Sequence, residues 1–274
     1  MPELPEVEVL RRTIEANVVG DTIESIEVWE RRLREPIDTR TLRRRLSSRR
    51  VLEVGRRAKY LLVHVEGGST LAVHLGMSGR LTLAPGETRR EPHEHAAFRL
   101  ASGRKLRFRD PRRFGALFAL PTASIATDRH FARLGIEPLA PGFSGETLHA
   151  AAERRNTSVK GMLMDAAVVV GVGNIYASEA LHRAGIHPRR SVARISRERW
   201  DRLADAVRDV LSDAVAQGGT TLNDFADAMG ESGYFQVALR VYDRAGGACP
   251  RCGGTIRRLR QLGRSTYYCP RCQS

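Results

Sequence analysis

The chain has 274 residues, 42% of them hydrophobic, which is enough to bury a sizeable core in one or two domains and excludes wholesale disorder. Arginine and lysine number 45 against 31 acidic residues, so the formal net charge is +14. This excess favours a polyanionic partner: nucleic acid first, with a membrane surface or a merely solvated basic surface as alternatives.

The first predicted element is an amphipathic helix over residues 5–18, with Gly20 just beyond it. From about 22 to 120 the chain is a series of short alternating runs, separated by Gly, Pro and charged turns, which predicts a β-sandwich or barrel. The runs are TIESIEVWE, RRVLEVG, YLLVHVEG, STLAVHLG, GRLTLA, HAAFRLA, RKLRFRD and GALFALP.

The helical signal begins after a Pro- and Gly-rich linker over 121–145. Residues 174–184 predict a helix ended by Gly185, and a longer helix follows, with Ser196 as its N-cap and Gly218 just past its end. The last 30 residues return to a β-like pattern. We therefore predict an α+β protein of two domains, with segments 1–120 (helix and β-sandwich), 121–145 (linker), 146–240 (helical) and 241–274 (hairpin).

The start of the chain does not have the pattern of a transport signal. The opening MPELPEVEVLRR has no apolar run, and no stretch of 18 apolar residues exists. We expect no signal peptide, no membrane partner and a cytoplasmic location with reduced cysteines.

Only three of the basic residues are lysines: Lys59, Lys105 and Lys160. Because Lys can lose its proton in a buried site and Arg effectively cannot, each is a candidate for chemistry.

Four cysteines stand in two pairs, Cys249-Pro-Arg-Cys252 and Cys269-Pro-Arg-Cys272, with sixteen residues between them. This spacing predicts a structural zinc site closed by four thiolates; two disulfides or a redox pair are the alternatives. The loop between the pairs predicts an arginine-rich hairpin, which is suited to probing a duplex or is simply a solvated turn. We expect one Zn²⁺ and no organic cofactor.

Two further motifs point to nucleic acid. In GVGNIYASE, Asn174 stands at a helix start, where backbone N–H groups bind phosphate, although the pattern also fits a capped turn. In RFRDPRRFG, Phe114 is a candidate wedge between base steps and Arg112 a donor to an orphaned base, unless Phe114 is a core residue. Met77, on the turn in HLGMSGR, either fills a void in the base stack or packs in the core.

The start of the chain is a candidate nucleophile. Loss of Met1 would leave Pro2 with a free secondary amine, whose pKa near 8 leaves a usable unprotonated fraction. Such an amine can attack a sugar anomeric carbon and expel a base, with Glu3 and Glu6 available as proton donors or acceptors. An ordinary Met-Pro start without consequence is the alternative.

Together these segments resemble bacterial formamidopyrimidine-DNA glycosylases. The resemblance runs in order from MPELPEVE through RRAKYLL, HLGMSG, DPRRFG, VGVGNIYASE, AGIHP, QGGTTL and YFQ to the zinc hairpin, so it covers nearly the whole chain. It implies a helix on a β-sandwich, a helix–two-turn–helix domain and a zinc finger. The sequence departs from the family at Gly161, Ala166 and Ala167, which touches no catalytic position.

The resemblance implies base-excision repair of 8-oxoguanine opposite cytosine and of formamidopyrimidines. Pro2 would form a Schiff base at C1′, Glu3 would relay protons and Lys59 would assist base loss, before β- and δ-elimination cut the strand. Arg264 would be a further catalytic residue. The segment 230–240 resembles a loop that closes over the extruded base. The expected partner is double-stranded DNA bearing oxidised purines or abasic sites, bound by a nucleoid-associated monomer.

DNA contacts follow from the same resemblance. Lys59, Asn174 and Arg264 would hold phosphates around the flipped nucleotide. Met77, Arg112 and Phe114 would fill the vacated stack, with Arg112 reading the opposite cytosine. The remaining predicted contacts are His95 and Arg155.

Two alternatives remain open. A sister enzyme of the endonuclease VIII type shares the Pro-Glu start, the lysine and the zinc finger but prefers oxidised pyrimidines; the PELPEV start and the RRF motif argue against it. A DNA-binding relative that has lost catalysis is the other. The joint presence of Pro2, Glu3 and Lys59 argues against that interpretation.

Overall fold

The computed structural model describes residues 2–220 and 239–274, so most of the predicted 230–240 loop lies outside the described residues. Within them the chain forms two compact units: 2–132 with 217–220, and 133–216 with 239–274. Among the described residues, no helix is long and apolar enough to cross a membrane. The domain boundaries proposed at 120, 145 and 240 stay predictions.

The first unit begins with helix α1, Leu4–Val18, which confirms the predicted helix. Its buried stripe is formed by Leu4, Val7, Leu10, Ile14 and Val18. Glu3 is the N-cap, and a capping box pairs its side chain with the backbone N–H of Glu6 and the Glu6 side chain with the backbone N–H of Glu3. The helix start is therefore fixed by the residues that immediately follow Pro2.

All eight predicted runs form strands, and every neighbouring pair is antiparallel. They are β1 (Thr22–Val28), β2 (Arg49–Arg57), β3 (Tyr60–Val65), β4 (Ser69–His74), β5 (Arg80–Pro85), β6 (Glu94–Leu100), β7 (Arg104–Arg109) and β8 (Ala116–Pro121). The spatial order is β5-β7-β6-β1-β2-β3-β4-β8. The predicted β region is thereby confirmed.

Two four-stranded halves meet at a narrow seam between β1 and β2. Only two residue pairs join these strands, Thr22 with Arg50 and Ile23 with Arg49. Apolar side chains from both halves and from α1 share one buried core. The shared core is the packing expected of a sandwich, because each half covers the apolar face of the other.

A second helix of this unit, α2 (Thr39–Leu46), was not predicted. Asp38 caps it by accepting the backbone N–H of Thr41 at 2.9 Å. Only Thr39, Leu42 and Leu46 face the interior, and most other positions are arginine. An eight-residue helix with two buried leucines gives too short a period to recognise in the sequence.

The second unit includes the helices α3 (Gly145–Ala152), α4 (Val159–Leu163), α5 (Asn174–Ala184) and α6 (Arg197–Ala216). α5 ends at Gly185, whose φ of +71° is the left-handed conformation that favours glycine. Ser196 caps α6, since its Oγ accepts the backbone N–H of Arg199 at 3.4 Å. Both predicted helix ends are confirmed. The predicted linker includes a 3₁₀ turn, Thr122–Thr127.

The last element is the hairpin of β9 (Arg257–Gln261) and β10 (Arg264–Tyr268). Its two turn residues, Leu262 and Gly263, both have positive φ, as a type I′ turn requires. Leu262 is exposed at the tip, and a Cβ at Gly161 would lie 3.3 Å from its Cδ1. The same Cβ would lie 2.8 Å from Thr157 Oγ1, so the glycine that departs from the family pattern gives room to that hydroxyl as well as to the hairpin tip.

Candidate active site and nucleic-acid interface

Pro2 precedes a helix start that is buried and anchored by hydrogen bonds. Pro2 and Glu3 are both buried, and the Glu3 backbone N–H donates to Glu6 Oε2 at 2.8 Å. The other oxygen of that carboxylate accepts the backbone N–H of Thr220 at 2.9 Å and its hydroxyl at 2.7 Å. One buried carboxylate therefore fixes the backbone next to the candidate nucleophile. Met1 lies outside the described residues, so its removal stays a prediction.

Lys59 lies at the tip of the β2–β3 hairpin. Arg57 pairs with Tyr60 across the turn, and Ala58 takes a φ of +54°. Tyr60 holds the far side of the turn, with its ring 4.7 Å from that of His74 and 5.0 Å from that of Phe131. The lysine is thus presented on a tight, well-packed turn.

Arg56 connects this turn to α1. Its Nε donates to Glu8 Oε2 at 3.1 Å, and its Nη1 donates to the carbonyl of Ala58 at 2.9 Å. Burial opposes ionisation of Glu8, but Arg11 and Arg56 outweigh it and lower the pKa of this carboxyl. The helix that begins beside Pro2 is therefore tied to the turn that carries Lys59. Sequence reasoning missed Arg56, because its partner lies 48 residues away.

Met77 and Phe114 are exposed apolar side chains on neighbouring turns. Their exposed fractions are 37% and 45%, which exclude the core alternative for both. The Arg112 guanidinium lies 4.9 Å from the Phe114 ring centroid. A Cβ on Gly76, whose φ is +63°, would approach the Phe114 carbonyl carbon to 2.4 Å, so the turns pack backbone against backbone. The structure brings the three predicted void-filling residues together.

Asp110 joins these two turns and was missed by the sequence reasoning. Its fully buried carboxylate accepts the Ser78 hydroxyl at 2.6 Å through Oδ1 and the Gly115 N–H at 2.7 Å through Oδ2. The Ser78 hydroxyl in turn accepts the Arg112 N–H at 3.2 Å. An aspartate just before the PRRFG motif was the available signal, since Asp commonly organises turns through its carboxylate.

His95 is 3% exposed, and its Nε2 lies 2.7 Å from the carbonyl oxygen of Asp110. The His95 ring therefore contacts, from the protein interior, the turn that carries Arg112 and Phe114. Its predicted DNA contact stays a prediction.

In the second unit, Asn174 and the hairpin are bonded through Lys160. The buried Lys160 Nζ donates to Asn174 Oδ1 and to Thr266 Oγ1, both at 2.7 Å. Asn174 Nδ2 donates to the carbonyl of Ser265 at 2.9 Å. Asn174 is the first residue of α5, with Gly173 as N-cap, and the exposed Arg264 lies next to Ser265. Two predicted phosphate contacts are thus held close together.

Arg155 is exposed on the same unit and forms an ion pair with Asp165 at 3.0 Å. Nothing in its described surroundings groups it with Asn174 or Arg264. Its predicted role in binding DNA remains a prediction.

The four cysteine sulfurs all lie within 4.8 Å of one another. The Sγ atoms of Cys249 and Cys272 are 3.8 Å apart, and those of Cys252 and Cys269 are 3.5 Å apart. A tetrahedral site with Zn–S bonds of about 2.3 Å has sulfurs about 3.8 Å apart, so the residues fit zinc. Four thiolates complete its coordination shell, which makes the metal structural.

The comparisons with known proteins follow this division of the chain. Residues 1–117 match the formamidopyrimidine-DNA glycosylase N-terminal domain, residues 134–226 match the H2TH domain of that family, and residues 246–274 match the zinc finger found in FPG and IleRS. The chain belongs to the formamidopyrimidine-DNA glycosylase family. The predicted family, fold class, zinc site and enzyme class, a DNA glycosylase with AP lyase activity, are therefore confirmed.

Relatives in this family match over full length. Formamidopyrimidine-DNA glycosylase of Halorhodospira halophila is 50% identical over 273 residues, covering 100% of both chains. That of Pseudomonas paraeruginosa is 50% identical over 275 residues, again covering 100% of both.

Solved structures of the family are similar too. A Lactococcus lactis FPG mutant in complex with Fapy-dG containing DNA has 31% identity and a TM-score of 0.92, with 100% of each chain covered. The Lactococcus lactis Fpg complex with abasic site containing DNA has 31% identity and a TM-score of 0.92, with 99% of each covered. MutM (Fpg) from Thermus thermophilus has 39% identity and a TM-score of 0.89, covering 99% of this chain and 98% of that one.

Proposed function

We propose that this glycosylase excises oxidised purines, 8-oxoguanine opposite cytosine and formamidopyrimidines, through the secondary amine of Pro2. The observation that carries the proposal is the anchored N-terminus. Glu6 bonds to the Glu3 backbone and to Thr220, so the amine of Pro2 has a defined position once Met1 is gone. An amine held in place attacks one carbon far more readily than a freely rotating chain end.

The reaction follows from amine chemistry. The unprotonated nitrogen of Pro2 attacks C1′ of the damaged nucleotide, and the oxidised base leaves with the electron pair of the glycosidic bond. Opening of the sugar ring gives a Schiff base, for which Glu3 donates a proton to the ring oxygen. Lys59 assists departure of the base and the later proton transfers. Successive β- and δ-elimination then release the two phosphate ends.

DNA is held by charge and by replacement of the flipped nucleotide. Lys59, Asn174 and Arg264 bind phosphates of the damaged strand, and Arg264 also serves the catalytic steps. Met77 and Phe114 occupy the vacated stack, and Arg112 reads the cytosine left without a partner. Extrusion costs a few kcal/mol, which these exposed side chains offset by restoring stacking.

The partner is therefore double-stranded DNA with an oxidised purine or an abasic site, bound by a monomer in the bacterial cytoplasm. The net charge of +14 supports binding of a polyanion. Lactococcus lactis Fpg has been crystallised with Fapy-dG and abasic-site DNA. His95 and Arg155 are proposed as further DNA contacts, and the zinc keeps the arginine hairpin folded.

Borohydride trapping tests the assignment. Duplexes that carry 8-oxoguanine or thymine glycol are incubated with the enzyme and borohydride, and intact mass is measured in parallel. We expect a covalent complex with 8-oxoguanine opposite cytosine and a chain that lacks Met1. Preference for thymine glycol would favour the pyrimidine-directed alternative.

The matched variant is Pro2→Gly, which keeps a small second residue but replaces the secondary amine with a primary one. We expect it to trap much less DNA than wild type while binding the same duplex. Retention of Met1 with no trapping by wild type would show that the mechanism is wrong and would favour a catalytically inactive DNA-binding protein.

A further inference from the structure

Residues 31–50 carry half of the net charge of the whole chain. This stretch holds nine arginines against two acidic residues, a net charge of +7 out of +14. None of these arginines is among the residues assigned to the lesion site. A large part of the protein's positive charge therefore lies on residues to which the proposed function assigns no specific contact.

The charge is displayed on one surface around α2. Leu42 and Leu46 are fully buried on its inner face. Arg40 and Arg44 are exposed, and Arg43, also exposed, donates from its Nε to the Ile26 carbonyl at 3.2 Å. Helix α2 packs against β1, and the start of β2 pairs with β1. We call the exposed arginines of α2 and of the start of β2 the α2 surface: Arg40, Arg43, Arg44, Arg49 and Arg50.

The fold supplies little counter-charge here: Asp38 and Glu35 interact electrostatically with Arg44 and Arg34, but neither pair is within ion-pair distance. Among the nine arginines of residues 31–50, only Arg32 forms an ion pair with a described residue, Glu30, at 3.9 Å. Arg40 and Arg44 stand four residues apart on one helix face, where like charges repel. Burial of a hydrophobic face does not require this pattern, so an external polyanion is the natural source of the missing counter-charge.

The basic stretch starts at the lesion site and leads away from it. The Arg34 N–H donates to the Gly115 carbonyl at 3.3 Å, and both Arg34 and Lys59 lie close enough to His74 to disfavour its protonation. From the Lys59 hairpin, β2 runs nine residues back to Arg49, about 26 Å at about 3.3 Å per residue. That distance corresponds to about eight base pairs of duplex at about 3.4 Å each.

We propose that the α2 surface is a second, lesion-independent DNA-binding surface that contacts phosphates outside the lesion site. The guanidinium groups bind phosphate oxygens in the bidentate mode and release condensed counterions. Their contribution is to affinity for any duplex, and hence to the enzyme's residence on undamaged DNA. The phosphates belong either to the flanks of the lesion duplex or to a second duplex.

The test variant is R40Q/R44Q/R49Q. None of the three guanidinium groups is bonded to a described backbone atom, and that of Arg44 lies 3.5 Å from the Thr41 hydroxyl. The fold should therefore survive. The matched control is R89Q/R133Q/R197Q, which removes three exposed, scattered arginines and lowers the net charge from +14 to +11 in the same way.

Affinity for an undamaged duplex of about 35 base pairs is measured across salt concentrations. Each lost phosphate contact should lower the slope of log K against log salt by about 0.9, so we expect a fall of about 1 to 3 for the test variant. The control should retain most of the wild-type slope. Single-turnover excision at saturating enzyme should equal the wild-type rate in both.

Equal slopes for the test and control variants would overturn the proposal, and so would a fall in the saturated excision rate of the test variant alone. That second result would assign these arginines to the lesion site. Unchanged DNA binding with lost binding to phosphatidylglycerol vesicles would assign the surface to lipid and also overturn it.

Duplex length separates the two sources of phosphate. A loss seen with a lesion duplex of about 35 base pairs and not with one of about 11 supports contact with the flanks. Loss of a second duplex from enzyme already saturated with the short lesion duplex supports bridging instead. If wild type forms no trapped complex through Pro2, the proposed mechanism is wrong. The salt slopes would still test the α2 surface.

Discussion

At the scale of single residues, His74 shows how burial and nearby positive charge, including that of Lys59, lower the pKa of a histidine. Burial, followed by the charges of Arg34, Lys59 and His130, lowers the pKa of His74 to about 4. Its Nδ1 accepts the Gly76 N–H at 3.0 Å, so the neutral ring is built into the turn that leads to Met77. Protonation would remove that acceptor.

We predict that His74 makes the protein sensitive to acid. The unfolded chain protonates this ring near pH 6.5 and the folded chain only near pH 4, so stability is complete above about 6.5 and falls as the pH drops toward 4. The full loss is about 3.5 kcal/mol, at about 1.4 kcal/mol per pKa unit. Between pH 7.5 and 5, wild type should lose about 2 kcal/mol more than His74→Gln in urea unfolding. Identical pH profiles for the two proteins would refute this.

The candidate-site residues that the sequence singled out were those in recognisable local motifs. Pro2, Asn174, Phe114 and the cysteines each stand in a short pattern with a chemical meaning. Arg56 and Lys160 could not be assigned in the same way, because Arg56 bonds to Glu8, 48 residues away, and Lys160 bonds to Asn174 and Thr266, 14 and 106 residues away in sequence. A residue whose role depends on a distant partner has no local signature.

At the scale of elements, the turns that carry Met77 and Phe114 behave as one piece. Both are exposed at their tips, and both are held beneath by the carboxylate of Asp110. The arrangement of the two turns, and with it the proposed insertion into the base stack, therefore depends on a single buried side chain.

We predict that Asp110→Asn uncouples the two turns. The amide group must place a donor against either the Ser78 hydroxyl or the Gly115 N–H, which should cost about 1–3 kcal/mol of stability. Excision of 8-oxoguanine should fall at least tenfold, while trapping on a preformed abasic site should change less, because no base has to be expelled. Single-turnover rates on both substrates measure this.

Ser78→Ala is the matched control, since it removes one hydroxyl and leaves the Gly115 bond intact. The excision rate of Ser78→Ala should lie between those of wild type and Asp110→Asn. Wild-type excision by the Asp110 variant would mean that the turns keep their geometry without the carboxylate.

The elements themselves were largely predictable where their patterns are long. Eight strands and the helices α1, α5 and α6 have clear apolar periodicity or clear end signals. Helix α2 was missed because its identity depends on burial of Leu42 and Leu46 against strands that follow later in the chain. The pairing order of the strands depends equally on long-range contacts, which no single run encodes.

At the scale of the whole molecule, we expect that the zinc hairpin does not fold without metal, because its own core is small. Its buried cluster consists of Val241, Ile256, Tyr267 and two of the cysteines. Without zinc, the four cysteines become thiols, and the metal–sulfur bonds that join the two ends of the hairpin are lost. The hairpin also holds Asn174 through the carbonyl of Ser265.

We therefore predict that chelation weakens DNA binding at least tenfold and that added zinc restores it. Trapping on abasic DNA at saturating concentration should persist, because the residues around Pro2 belong to the other unit. Affinity and trapping are measured on the same chelated sample. Undiminished binding by zinc-free protein would contradict a role for the hairpin in holding DNA.

The bond between Glu6 and Thr220 joins residues 214 positions apart. On the ribosome, the first residues to emerge must wait for most of the chain before this bond can form. The candidate nucleophile is therefore among the first residues made and among the last to be set in place. A chain truncated before residue 220 would carry Pro2, Glu3 and Lys59 without the anchor that positions the amine. We therefore expect that an incomplete protein would not present a positioned nucleophile to DNA.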